Sequence, residues 1–187
     1  MSSYNHLIAI IEELAANAQE IDREQLDNVE RLIEKADRIF IAGAGRSGFA
    51  ARAFANRLMH LGYHSYFVGE PTTPSIQRED LLIIGSGSGE TASLVTMAKK
   101  AKEVGAAVAT LTIFPANTVG SLADAYITLP GVTSKVDEGE FGSTSLQPKG
   151  SSFEQLSWLV YDSMIVTLKN KKNQSDEDMF FRHANLE

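Results

Sequence analysis

Cysteine is absent from the 187 residues, which excludes disulfides, thiolate metal sites and cysteine nucleophiles. Basic residues are in the minority, 17 Lys and Arg against 24 Asp and Glu, for a net charge of −7. A partner that needs a broad basic face, nucleic acid or an anionic membrane, is therefore not expected. A small anion is a different matter, because a few backbone N–H groups can hold one against the global charge. Long apolar runs are also missing. The most apolar stretch, "LSWLVYDSMIVTL" (156–168), is short and contains Asp162, so no membrane span is expected. The opening "MSSYNHLIAIIEELA" has no basic flank and carries Glu12 and Glu13 inside its apolar stretch, unlike a secretory leader. These absences lead to the expectation of a cytoplasmic protein, and the length suits a single domain with a sizeable core.

What is present is an alternation of short apolar runs with longer amphipathic ones. Residues 1–36 read as a helical arm. Leu7, Ile10, Ile11, Leu14 and Ala18 share one helical face, Leu26, Val29, Leu32 and Ile33 another, and Asp22 between them is a plausible cap. From Arg38 the spacing predicts strands at 38–42, 64–68, 80–85, 106–113 and 125–130. Helices are predicted at 47–62, 89–105 and 118–123, the second stopped by Gly105. Such succession implies right-handed crossovers and a parallel sheet covered on both faces. The expected fold is a three-layer α/β sandwich with five parallel strands in the order 2-1-3-4-5. Residues 37–130 form its core. Residues 131–187 supply an aperiodic loop (131–150), a long helix (151–171) capped by Ser151 or Ser152, and a polar tail. A loop of that length in a compact domain is usually functional.

Two of the strands end in glycine-rich breaks. "GAGRSG" (43–48) follows the first strand and opens a helix, the context of a dinucleotide fingerprint, with Glu70 able to take ribose hydroxyls. Yet Arg46 and Ser47 at a helix N-terminus also suit a compact phosphate group. "GSGSGET" (85–91) follows the third strand. Ser86, Ser88 and Thr91 can donate hydroxyl hydrogen bonds where the N–H groups of the next helix converge. A dinucleotide enzyme has no general use for this second nest of hydroxyls, whereas a phosphorylated sugar does. Two plain turns of small residues are the bland alternative.

Gly-x-Gly-x-Ser after one strand and Ser-x-Ser-Gly-x-Thr after another resemble the sugar isomerase (SIS) domain. With "FANRLMHLG", "VGEPTTP", "FEQ" and the terminal "FFRHANLE", the chain from about Arg38 to Glu187 resembles the 6-phospho-3-hexuloisomerase family. Lys149 in "QPKGSSFEQ" stands where that family's pattern is expected to be apolar. The resemblance implies a phosphosugar substrate, interconversion of 3-hexulose 6-phosphate and fructose 6-phosphate in the ribulose monophosphate pathway of formaldehyde fixation, and a symmetric homo-oligomer. No metal and no cofactor are implied.

Moving a carbonyl between C3 and C2 requires a base that removes a carbon-bound proton, an enediol(ate), and return of the proton to the neighbouring carbon. Glu154, early in the last helix between Phe153 and Leu156, is the candidate base. An N-terminal-turn glutamate serving only the helix dipole is the alternative. His183 is the candidate for hydroxyl protons or ring opening, although a histidine in a polar tail is often merely solvated. Arg46, Ser47, Ser86, Ser88 and Thr91 are expected to bind the phosphate, and Thr72 and Thr73 in "GEPTTP" to line the sugar hydroxyls. His60 and His64 read as structural. The apolar "MFF" (179–181) and the N-terminal helices suggest that subunits pack so that tail residues close a neighbour's site. Another phosphosugar isomerase, or a non-catalytic phosphosugar sensor, remains the competing reading. A sensor of the kind joined to a DNA-binding module is disfavoured, because residues 1–36 are too short and too acidic for a helix-turn-helix.

Overall fold

The computed structural model describes residues 2–132 and 145–186; the expected functional loop 131–150 thus lies mostly outside the described residues. Two helices lead the chain, α1 (Ser3–Ala18) and α2 (Arg23–Lys35). They are separated as the sequence predicts: the Asp22 side chain caps α2 by accepting from the Glu24 N–H at 2.8 Å. The core then runs β1 (Ile39–Gly43), α3 (Gly45–His60), β2 (Ser65–Phe67), β3 (Leu81–Gly85), α4 (Ala92–Val104), β4 (Ala107–Thr112), α5 (Thr118–Leu122) and β5 (Ala125–Thr128). It closes with α6 (Ser151–Lys171) and α7 (Asp176–Phe181).

All strand pairs are parallel and the sheet order is β2-β1-β3-β4-β5, the expected architecture. The central strands β1, β3 and β4 are buried on both faces because both of their alternating side-chain sets are largely apolar. Ile39, Ile41, Leu81 and Ile83 face one layer, where they pack with Val29 and Ile33 of α2, Phe54 and Leu58 of α3 and Met164 of α6. Phe40, Ala42, Leu82 and Ile84 face the other, against Leu94 and Ala98 of α4 and Val119 of α5. Successive crossovers leave β1 in opposite directions, so a crevice opens at the carboxyl ends of β1 and β3.

Three local expectations are corrected. The N-cap of α6 is Gly150, at φ 94°, and neither serine caps the helix; Ser152 instead accepts from Asn17 Nδ2 at 2.9 Å and ties α1 to α6. Helix α4 starts at Ala92 rather than Gly89. Glu90 is drawn away to cap α5, accepting from the Thr118 N–H at 2.7 Å and its hydroxyl at 2.9 Å, bonds that hold the Glu90 carboxyl below its ordinary pKa. The polar tail contains α7, begun by a reciprocal capping box between Ser175 and Asp178. Among the described residues no helix is long and apolar enough to cross a membrane.

Candidate active site

Gly43 pairs in register with Gly85, and Gly85 with Leu111. The two glycine breaks therefore leave the sheet side by side at the same level. In the first break the outer glycines bring helix and strand together: a Cβ on Gly48 would lie 2.7 Å from the Gly43 carbonyl oxygen. Helix α3 therefore begins hard against β1, and its first turn presents Arg46 and Ser47 to the crevice.

The second break is folded by its own hydroxyls. Ser86 Oγ accepts from the Gly89 N–H at 3.2 Å and Ser88 Oγ from the Glu90 N–H at 3.3 Å. A hydroxyl that accepts still has its proton to donate, so the internal bonds leave both serines able to give a hydrogen bond to an anion. The loop's carbonyls are fastened from behind: Asn117 Nδ2 donates to Ser88 O at 2.8 Å and Thr112 Oγ1 to Gly87 O at 3.3 Å. Gly89, at φ 65°, takes the left-handed turn this requires. Thr91 and Leu94 at the start of α4, where a helix has N–H groups without a partner inside it, line the same space.

A cavity of about 240 Å³ lies between the two breaks and the start of α6. Arg46, Ser47, Ser86, Ser88, Thr91 and Glu154 all line it, with Ile113 and Phe153 as an apolar wall. Glu154 lies on that wall with 19% of its side chain exposed, and its Oε2 accepts from Arg46 Nε at 2.5 Å. Lys149 also reaches the cavity, so the lysine that departs from the expected pattern joins Arg46 as a second cation there among the described residues. Asn117 and Thr112, which brace the second break, carry no signal in the sequence, because each acts across more than twenty residues.

His183, Thr72 and Thr73 are not brought to this cavity. Thr72 is exposed in the turn after β2. The Thr73 hydroxyl donates to Phe67 O at 3.0 Å, so it fastens that turn, and a sugar-lining role for the pair has no support in this placement. The His183 ring stacks on His60 at 5.0 Å, at the far end of α3. Glu70 pairs with Arg52 at 3.6 Å and is not among the residues lining the cavity, so the acidic partner of the dinucleotide reading is engaged elsewhere.

The SIS domain family matches residues 32–153. Over 187 residues, all of both chains, this chain is 45% identical to the 3-hexulose-6-phosphate isomerase of Bacillus subtilis. It is 39% identical to that of Mycobacterium gastri, over 98% of this chain and 90% of the relative. The chain belongs to the 3-hexulose-6-phosphate isomerase family. A crystal structure from Methanococcus jannaschii, described as inferring that same function, superposes with a TM-score of 0.78 at 37% identity, covering 98% of this chain and 96% of that one. The SIS match contains both hydroxyl-rich breaks and stops one residue before Glu154. Both breaks therefore lie within the common domain. Glu154 and the tail lie beyond the SIS match but within the full-length match to the Bacillus subtilis relative.

Proposed function

We propose that the chain is a phosphosugar isomerase that interconverts D-arabino-3-hexulose 6-phosphate and D-fructose 6-phosphate in the ribulose monophosphate pathway of formaldehyde fixation. The observation that carries this reading is a carboxylate, Glu154, on the wall of the same cavity as the two hydroxyl-rich breaks. The phosphate lies against Ser47, Ser86, Ser88 and Thr91 at the start of α4, where N–H groups and hydroxyl protons converge. Arg46 and Lys149 add positive charge. The carbon chain then extends toward α6.

Glu154 takes the proton from C2 of the 3-ketose, giving a C2–C3 enediol(ate), and returns it to C3, leaving the carbonyl at C2. Arg46 orients the carboxylate through its 2.5 Å hydrogen bond and places a cation beside the charge that develops on the sugar oxygens. The accompanying transfer between the oxygens on C2 and C3 needs a second group, and His183 of a neighbouring subunit supplies it. Its own chain cannot, because α3 spans roughly 22 Å between the cavity and the stacked histidines. The reaction needs no change of oxidation state overall.

Supplying 3-hexulose 6-phosphate and following fructose 6-phosphate through coupled downstream enzymes tests the reading. Steady formation of fructose 6-phosphate is expected, with solvent deuterium appearing on the sugar carbon wherever Glu154 exchanges before returning its proton. A folded, pure protein that forms none refutes it.

A further inference from the structure

One polar atom beside the site has no role in that scheme. Tyr161 lies seven residues after Glu154 in α6, two turns along the same helical face, and is 1% exposed. Its ring stacks on Phe54 of α3, with centroids 4.5 Å apart and planes at 16°. Its hydroxyl has no hydrogen-bond partner among the described residues. Burial pushes the hydroxyl well above the ordinary tyrosine pKa, so it is a neutral O–H donor.

The position of this oxygen is specific. A Cβ built on Gly85 would meet it at 3.0 Å and would meet Ser47 O at 3.7 Å. The Tyr161 hydroxyl therefore sits beneath the seam of the two glycine breaks, under two residues that line the cavity. Phenylalanine would keep the stack on Phe54 and remove the cost of burying an unpaired hydroxyl. Glycine at 85, in turn, keeps room for the oxygen.

We infer that Tyr161 is a positioning residue for the anion cradle, its O–H donating to the carbonyl of the Gly43–Gly48 turn at Ser47 when that turn closes on a bound phosphate. The buried hydroxyl gains this hydrogen bond in the complex, so part of the ligand's binding free energy comes from satisfying a buried donor. The inference rests on the phosphosugar reading for its ligand, but its own observable is anion affinity, which inorganic phosphate reports without turnover.

Tyr161→Phe should raise the melting temperature of the ligand-free protein. It should also weaken binding of inorganic phosphate and raise KM for 3-hexulose 6-phosphate by about three- to tenfold, the range for loss of one neutral hydrogen bond, with kcat little changed. Gly85→Ala should weaken the cradle alone, and Tyr161→Phe should partly rescue it, because the contact at 3.0 Å is the only one under 3.4 Å that the new methyl would make. Unchanged phosphate affinity and KM in Tyr161→Phe overturns the inference while leaving the isomerase reading intact. So does a double variant no better than Gly85→Ala. Wild-type protein that binds phosphate but does not isomerise the substrate overturns the isomerase reading instead.

Discussion

Glu154 and Arg46 approach from positions 108 residues apart in the chain, and the chemistry depends on where they meet. The carboxylate is neither fully buried nor free, with 19% of its side chain exposed, one side against Phe153 and the guanidinium fixing its orientation. Glutamine in its place keeps shape and can still hydrogen-bond, but cannot take a carbon-bound proton. Glu154→Gln should lower kcat by about 10²- to 10⁴-fold with a much smaller change in KM. Near-normal turnover with an intact fold would move the base elsewhere. At this scale the sequence was readable where function is local. Arg46, Ser47, Ser86, Ser88 and Thr91 lie within two short strings, each set by a strand end. Asn117, Thr112 and Tyr161 were not readable, since their partners are brought close only by the sheet register and by the packing of α6 on α3.

The elements show the same division. Strand positions, the start of α2 and the end of α4 follow from apolar spacing, the Asp22 cap and the Gly105 stop, which takes φ 84°. Helix α7 escaped that reading because its six residues bury none of their side chains and so produce no periodicity; only the Ser175…Asp178 capping pattern marked it. Its placement is long-range. Arg182 Nη1 donates to His60 O at 3.0 Å and to Gln174 Oε1 at 2.8 Å, and His183 stacks on His60. Burial first, then His183 and Arg57, hold the His60 imidazole below the ordinary histidine pKa. The unfolded chain therefore takes up a proton near pH 6.5 that the folded chain resists. This contribution to stability is present above about pH 6.5 and is lost as pH falls. His60→Gln should show a smaller fall in melting temperature than the wild type between about pH 7.5 and about pH 5.5. Parallel pH profiles for the two proteins would show that His60 does not carry this pH dependence.

For the whole molecule, the decisive feature is apolar surface left uncovered by the single chain. Tyr4, Leu7, Ile8 and Ile11 recur at helical spacing along α1 with 69%, 53%, 39% and 53% exposure, and no residue of α1 is buried. Phe49 of α3 and Trp158 and Leu159 of α6 are also exposed, and they line a shallow apolar groove that shares Arg46 and Glu154 with the candidate cavity. A surface of this kind beside a site is characteristic of an interface between subunits. The role proposed for His183 adds a second reason, since its stack on His60 lies at the far end of α3 from its own cavity. On these two grounds we propose an assembly in which each subunit lends its tail to a neighbour. Replacing Leu7 and Ile11 together with glutamate should shift the protein in multi-angle light scattering toward the 20.4 kDa monomer. It should also reduce turnover by about as much as His183→Ala does in the intact oligomer. Mixing the Glu154→Gln and His183→Ala proteins gives the more demanding measurement. If tails are exchanged, reassembled oligomers regain activity at sites that combine an intact Glu154 with an intact His183, though neither parent has such a site. Wild-type protein that runs as a fully active monomer, or a mixture that stays as inactive as its components, would place the proton-handling partner of Glu154 within its own chain.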